Sequence, residues 1–373
     1  LSFQGAGSRT QGAQPQYGYS GQWRANLTTA DWQGALSLTG ALLFPASGPF
    51  GLRAEGVPAS GNGSMKGVNA QATGTLSFDT RRGALNVDNA KGQFDMKGAT
   101  GRFNGSARGS QLDKSPVWEA ALSCSTDNLR ALLARWDLLP SGLSPRMPGQ
   151  ARAGAKVRLD DNAVTISELE GSVDATRFSG RIERLKGTPP RWSADLRLGA
   201  LNLSDYLPSS KGNTSSGGPW NVNRLKSLDL EGQLKAERLT VARIPHENLS
   251  APITIRDGVL TADPIKARVA GGTAGAGFRA ETASGGLLAR LRYTLKSVNV
   301  LTLCRERVQE QLLSGKGDLD ADVKGLLRSG ADIPAALNGT LSFIIRNGEL
   351  DARRPGGLNR FSSLSASGNL SGC

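Results

Sequence analysis

The sequence predicts a mainly β protein built as a repeat, and three observations predict it. Short turn signals flanked by alternating apolar and polar residues occur four times, at Arg82-Gly83, Asp161-Asn162, Asp257-Gly258 and Asn347-Gly348. Blocks of similar sequence recur in the same order between these turns. The composition, with 48 glycines, 17 prolines and 38 % apolar but only 5 % aromatic residues, suits many short strands joined by tight turns.

Each turn implies a register. Asp-Gly and Asn-Gly favour two-residue hairpin loops because both positions tolerate positive φ, and pairing outward from the loop is then set by geometry. Around the first turn Phe78 is expected to face Val87. Around the second, Leu159 faces Val164 and Val157 faces Ile166. Around the third, Ile255 faces Leu260 and Ile253 faces Ala262. Around the fourth, Ile345 faces Leu350, Phe343 faces Ala352 and Arg346 sits opposite Glu349. The intervening residues are mostly polar, among them Ser77, Lys156, Thr254 and Ser342. Every copy therefore places its apolar residues on one parity, giving a sheet with one dry and one wet face.

The repetition extends past the turns. GTLSF stands at Gly74–Phe78 and again at Gly339–Phe343. A second block reads TGRFNG from Thr100, TRFSG from Thr176 and TAGAG from Thr273. In a third block Trp118, Trp192 and Ala289 are each followed ten residues later by an asparagine, at Asn128, Asn202 and Asn299. Copies start near 74, 155, 251 and 339, roughly 80 to 100 residues apart, a spacing of the kind that stacks into an array. A one-faced sheet must bury that face in a sandwich, in a barrel, or in a trough that covers something else.

Helices are expected to be few. Asp127–Trp136 carries Leu129, Leu132, Leu133 and Trp136 at helical spacing, with Thr126 or Asp127 as cap. Leu301, Cys304, Val308 and Leu312 form a second stripe that stops near Gly315. Both follow the same block, so both are assigned to the ends of the trough. In the second copy the corresponding segment stops at Pro208 and runs into Ser209–Pro219, the clearest flexible linker by composition. Residues 1–16 lack periodicity and look like a vector-derived or disordered segment, which leaves 17–373 as a single elongated repeat-β domain. No run approaches the ~18 apolar residues of a membrane-spanning helix.

The residues also exclude chemistry. Ser314-Gly315-Lys316-Gly317 lacks the spacing of a phosphate-binding loop. Asp318, Asp320 and Asp322 alternate on one strand face without the glycine and glutamate of a calcium loop, and read as a solvated face. His246 is the only histidine and sits in a polar stretch, so a surface position is expected and neither a triad nor a histidine-ligand metal site can be built. Cys124 and Cys304 read as buried thiols, and with Cys373 they make neither a disulfide framework nor a zinc site. No enzyme, metal or cofactor is expected. The net charge of +13 is spread singly with few aromatics, which argues against nucleic acid. It suits either work beside anionic lipid headgroups or plain solubility.

The stretch from Trp220 to Leu350 resembles the AsmA family of Gram-negative envelope proteins, specifically the AsmA domain. The resemblance is carried by W-x-V-x-x-L-K-S-L-D-L-E-G-Q-L-K-A-E-R-L from Trp220, by IRDGVLTADP at Ile255–Pro264 and by AGGTAG at Ala270–Gly275. LLSGKGDLDADV at Leu312–Val323 and NGTLSFIIRNGEL at Asn338–Leu350 complete it. The family is similar to TamB and to bridge-like lipid-transfer proteins. The resemblance implies an elongated repeating β-groove, a curved, taco-like antiparallel sheet with a few short helices. It also implies a periplasmic location with an inner-membrane anchor outside this chain, and phospholipid acyl chains moving toward the outer membrane. Inner and outer membranes and other envelope proteins are the partners it suggests. Leu76, Phe78, Val157, Ile166, Ile253, Ile255, Leu260, Phe343 and Ile345 share parity and are assigned to the apolar, lipid-binding surface. The rival reading is a scaffold for outer-membrane protein assembly that carries no lipid. A polysaccharide-active enzyme is a third and weaker reading, since no carboxylate pair lies beside stacking aromatics.

Overall fold

The structure, a computed structural model, describes residues 2–10, 16–28, 32–45, 52–65, 67–112, 114–135, 148–206, 223–284, 286–307, 313–328, 337–349 and 360–370. The chain is mainly β. Its contacts divide it into two compact units: Leu1–Leu138 with Pro148–Asp174 and Glu183–Lys186, and Leu139–Met147 with Ala175–Ile182 and Gly187–Cys373.

The first unit is an antiparallel meander. Its strands are β1 (Ser2–Thr10), β2 (Gln16–Thr28), β3 (Trp32–Pro45), β4 (Arg53–Met65), β5 (Val68–Asp79), β6 (Ala84–Met96), β7 (Ala99–Ser110), β8 (Val117–Thr126), β9 (Ala151–Leu159) and β10 (Ala163–Val173). Each pairs with the next from β1 to β10. Ser2–Thr10, read above as part of a vector-derived or disordered segment, pairs with β2 from Ser2↔Arg24 to Thr10↔Gln16. Helix α1 (Leu129–Arg135) stands between β8 and β9 in the chain.

The second unit holds β12 (Arg191–Asn202), the 3-10 turn η1 (Leu203–Asp205), α2 (Asn223–Lys226), β13 (Asp229–Val241), β14 (Ile244–Arg256), β15 (Val259–Val269) and β16 (Gly272–Ala283). It continues with β17 (Gly286–Asn299), α3 (Val300–Arg307), β18 (Lys316–Leu327), β19 (Asn338–Glu349) and β20 (Arg360–Leu370). Strand β11 (Thr176–Leu185) falls across the division between the units. From β13 to β20 every neighbour is antiparallel. The expectation of an antiparallel sheet fails where β12 meets β13: these strands are parallel, from Arg191↔Asp229 to Asn202↔Thr240. A parallel pair needs a connection that carries the chain back along the strand. The Ser209–Pro219 segment belongs to that connection and lies outside the described residues.

The four turns have four different outcomes. Asp257-Gly258 is the two-residue loop expected, with φ of 54° and 76° and Arg256 paired to Val259. Asp161-Asn162 gives the expected register, Leu159↔Val164 and Val157↔Ile166, but neither turn residue has positive φ. Instead the Asp160 carboxylate accepts from the backbone N–H of Asn162 and Ala163, each at 2.9 Å. The first turn is longer than expected. Asp79 pairs with Ala84, and the Asp79 carboxylate accepts from Arg81 N–H at 3.0 Å, so four residues make the bend. Phe78 therefore faces Leu85, and Val87 faces Leu76. A slip of two residues keeps every side chain on its face, so the parity survives.

Asn347-Gly348 is not a turn. Strand β19 runs through to Glu349, with Arg346 opposite Lys316 of β18 and Ser363 of β20. Arg346 does not face Glu349, which pairs with Arg360. Leu350 and Ala352, the expected partners of Ile345 and Phe343, lie outside the described residues. Among the described residues Ile345 faces Gly317 and Leu364, and Phe343 faces Leu319 and Ala366. Asn347 has φ of 49°, a single left-handed residue within the strand. Gly348 is glycine because a side chain there would run into the Phe361 ring.

The repeated asparagines are helix caps. Asn128 Oδ1 accepts from Ala131 N–H at 3.0 Å, Asn202 Oδ1 from Ser204 N–H at 3.2 Å, and Asn299 Oδ1 from Thr302 N–H at 3.1 Å. The cap of α1 is thus Asn128, not Thr126 or Asp127. Asp127 instead accepts from Thr100 N–H and the Thr100 hydroxyl at 2.7 and 2.8 Å, which holds its carboxyl below the usual range. One helix-capping device is written three times at one spacing.

Candidate functional site

In a paired sheet, directly opposite residues share a face. In the first unit this rule links Val57, Leu76, Val87, Ala107, Ala120, Val157 and Ile166 into one row across β4–β10. The row beside it reads Ala54, Phe78, Leu85, Gly109, Trp118, Leu159 and Val164. Four of the sequence-assigned residues, Leu76, Phe78, Val157 and Ile166, therefore sit in adjacent rows of one apolar face.

The other five lie on the apolar face of the second unit. Ile255 and Leu260 belong to the row Trp192, Leu230, Ile255, Leu260, Ala280, Ala289. Ile253 is two residues from Ile255 and opposite Gly232. Phe343 belongs to the row Ala267, Ala274, Leu295, Leu319, Phe343, Ala366, and Ile345 to Val298, Gly317, Ile345, Leu364.

These faces are buried at some points and bare at others. Val269 is 1 % exposed in a cluster with Ala236, Leu249, Leu295 and Val298. Leu122 and Leu159 on the first face are 45 % and 43 % exposed, within rows of apolar side chains. Leu364 and Leu370 on β20 are likewise exposed. Cys124, expected to be buried, is exposed on this face opposite Phe103 and Ala153. Its strand is buried less than its apolar pattern suggests, because among the described residues no second sheet packs on it.

The helices lie at strand ends of the apolar faces. Leu132 of α1 packs with Met96 and Ala99, where β6 turns into β7. Leu303 of α3 packs against the Val269 cluster, and Leu225 of α2 against Ala280, Leu287, Ala289 and Leu327. Three short helices thus cover limited parts of the faces and leave the strand centres to small residues. Glycines help keep the face smooth: the Phe94 ring lies over Gly101 and the Phe103 ring over Gly92.

The opposite faces are polar and cross-linked by ions. Asp318, Asp320 and Asp322 of β18 lie on such a face, each against a cation: Arg346 at 2.7 Å, Lys296 at 3.2 Å and Arg290. The hydrogen bond from Arg346 holds the Asp318 carboxyl below the usual range, and that from Arg290 does the same for Asp322. The stripe is therefore a ladder of ion pairs. The polar face of the first unit carries a shallow concavity of about 600 Å³ beside Arg24, Lys91 and Arg102. Among the described residues no group of His, Cys, Asp and Glu converges as a metal site, and no helix is long and apolar enough to cross a membrane.

One site residue escaped the sequence. His246 is not in a surface connector. It lies within β14 opposite Leu239, half-buried beside the Val269 cluster, and its Nε2 is 2.9 Å from the Tyr293 hydroxyl. The polar string His246-Glu247-Asn248 hid the strand. Asn248 takes positive φ, at 53°, and so breaks the alternation that would have shown it. Burial pushes the His246 ring below its ordinary value and the Tyr293 phenol up to about 12.

Compared with known proteins, residues 118–360 match the family model of the AsmA family. No curated protein and no solved structure matches the chain.

Proposed function

The chain belongs to the AsmA family, and from that premise we propose that its apolar sheet faces receive the acyl chains of phospholipids and so serve lipid movement toward the outer membrane. The observation that carries this reading is the exposure of Leu122 and Leu159 on a face whose rows are otherwise wholly apolar. Bare leucines on a continuous dry face are stabilised by a ligand that covers them. Each buried methylene of an acyl chain contributes about 0.8 kcal/mol, offset in part by the entropy of ordering the chain. Headgroups stay in water at the margin, where the excess of basic residues suits their phosphates. Neighbouring rows repeat the same small and branched side chains, so a tail passes between near-equal sites. The role is passive carriage without bond chemistry, performed in the periplasm by a protein held at the inner membrane.

The test is photo-crosslinking. A photoreactive residue at Val157 on the apolar face is expected to capture phospholipid from cells, and one at the adjacent Lys156 on the polar face is not. Equal capture at both positions, or none at either, would overturn the reading. Mass spectrometry of lipids extracted from the pure protein identifies the species.

A further inference from the structure

His246 and Tyr293 bring two polar side chains onto an otherwise apolar face from strands three apart. Strands are spaced about 4.8 Å, so β14 and β17 lie about 14 Å apart along the sheet. Side chains stand roughly perpendicular to a sheet. A hydrogen bond of 2.9 Å between them therefore requires the sheet to curl toward its apolar face here. Around the pair the packing is apolar: Leu239, Ile244, Ala267, Val269, Leu295 and Leu303. The charged neighbours point the other way. Arg238 and Glu247 pair with each other across β13 and β14 at 3.1 Å, Arg268 of β15 faces Glu247, and Arg292 flanks Tyr293 on the polar side of β17.

The partners dictate where the protons are. His246 Nδ1 lies 3.1 Å from the Ile244 carbonyl, which can only accept, so Nδ1 carries hydrogen and donates. In the neutral ring with its hydrogen on Nδ1, Nε2 accepts from the Tyr293 hydroxyl, and the Leu239 carbonyl is a further backbone acceptor beside the ring. The phenol proton is used inside the pair, and Tyr293 Oη offers a ligand only lone pairs. When Nε2 gains a proton it becomes the donor to Oη. The phenol proton is then free to turn outward to an acceptor.

We propose that His246 and Tyr293 form a polar anchor on the apolar face of the second unit. The Tyr293 hydroxyl donates to the ester carbonyl of an acyl ligand, and a solvent proton is taken up at His246 Nε2 on binding. This rests on the reading that the face binds acyl chains, and adds which part of the lipid is recognised and how pH enters. Ligand and proton then favour each other by linkage.

The experiment compares palmitoyl lysophosphatidylcholine with its ether analogue, which lacks only the carbonyl, by titration calorimetry on the full chain. The advantage of the ester over the ether is expected to grow as pH falls below 6.5, to about fivefold, because His246, whose proton affinity burial lowers, must gain a proton before Tyr293 can donate outward. Near pH 8 the gap should shrink toward unity. Tyr293→Phe should abolish the gap, bringing ester and ether to equal affinity. The paired variant His246→Leu with Tyr293→Phe makes the same comparison without leaving a ring nitrogen unpartnered, should the single variant not fold. Equal wild-type affinities, a gap independent of pH, or a gap retained in either variant would overturn the anchor. If the ether analogue also fails to bind, the apolar-face reading itself falls, a result distinct from failure of the anchor alone.

Discussion

Introducing a carboxylate at two points of the apolar faces separates a bare face from a packed core. Val269 is 1 % exposed and touches a cluster of aliphatic side chains. Val269→Asp loses about 2 kcal/mol of transfer free energy. It also buries an unpaired polar group at a cost of several kcal/mol. The sum reaches the ~5 kcal/mol at which a marginal domain no longer folds. Leu122 is 45 % exposed and faces Gly105 and Ala155. Only about half of its surface is covered, so Leu122→Asp loses about 1 kcal/mol, and its carboxylate stays hydrated. The assay is a thermal melt paired with lipid recovery from the purified variants. Val269→Asp should abolish the cooperative melt. Leu122→Asp should shift it by about 2–4 °C while bound lipid falls well below wild type. Unfolding of Leu122→Asp would show that the residue is covered in a way this reasoning denies. A folded Leu122→Asp with wild-type lipid would show that the face is not the lipid path.

Three further expectations follow from the geometry. Gly258→Val should destabilise by about 1–3 kcal/mol, because φ is 76° and a Cβ would lie 2.9 Å from Thr282 Oγ1. Gly368→Val, with open space around it, is the control, and equal melting temperatures would refute the turn. Asn128→Ala and Asn299→Ala should each cost about 1 kcal/mol and speed amide exchange in α1 and α3; unchanged exchange would deny the caps. Burial holds His246 below its ordinary 6.5, so the unfolded chain binds that proton more readily than the folded one. Stability is then full above pH 6.5 and falls as pH drops through 6.5 toward the folded value. Replacing His246 and Tyr293 together by Leu and Phe should remove that part of the acid slope, leaving the slope from lowered carboxyls such as Asp127, Asp160, Asp318 and Asp322, whose stabilisation is lost as pH falls below 3.8. An unaltered melt-versus-pH curve would contradict it.

Local periodicity carried the parity of every apolar residue assigned to the faces, because alternation along a strand is a property of a few consecutive residues. It also carried the third turn, Asp257-Gly258, and the ten-residue spacing to Asn128, Asn202 and Asn299, though not their role as caps. Turn type was less legible. Asp79 and Asp160 each use a carboxylate to bend the chain, and the packing of Phe361 over Gly348 keeps Asn347 in a strand. Which hydrogen bond a turn residue makes depends on neighbours that the turn sequence does not contain.

What the sequence determined by itself was a mainly β chain whose strands carry their apolar residues on one side, since that follows from the period within a few consecutive residues. What only the tertiary structure decided was the parallel contact of β12 with β13, the bareness of Leu122, Leu159 and Cys124, and the meeting of His246 with Tyr293. Each of these depends on strands brought together from distant parts of the chain. Pattern tells a strand which side is apolar. Only packing determines whether that side is covered, and by what.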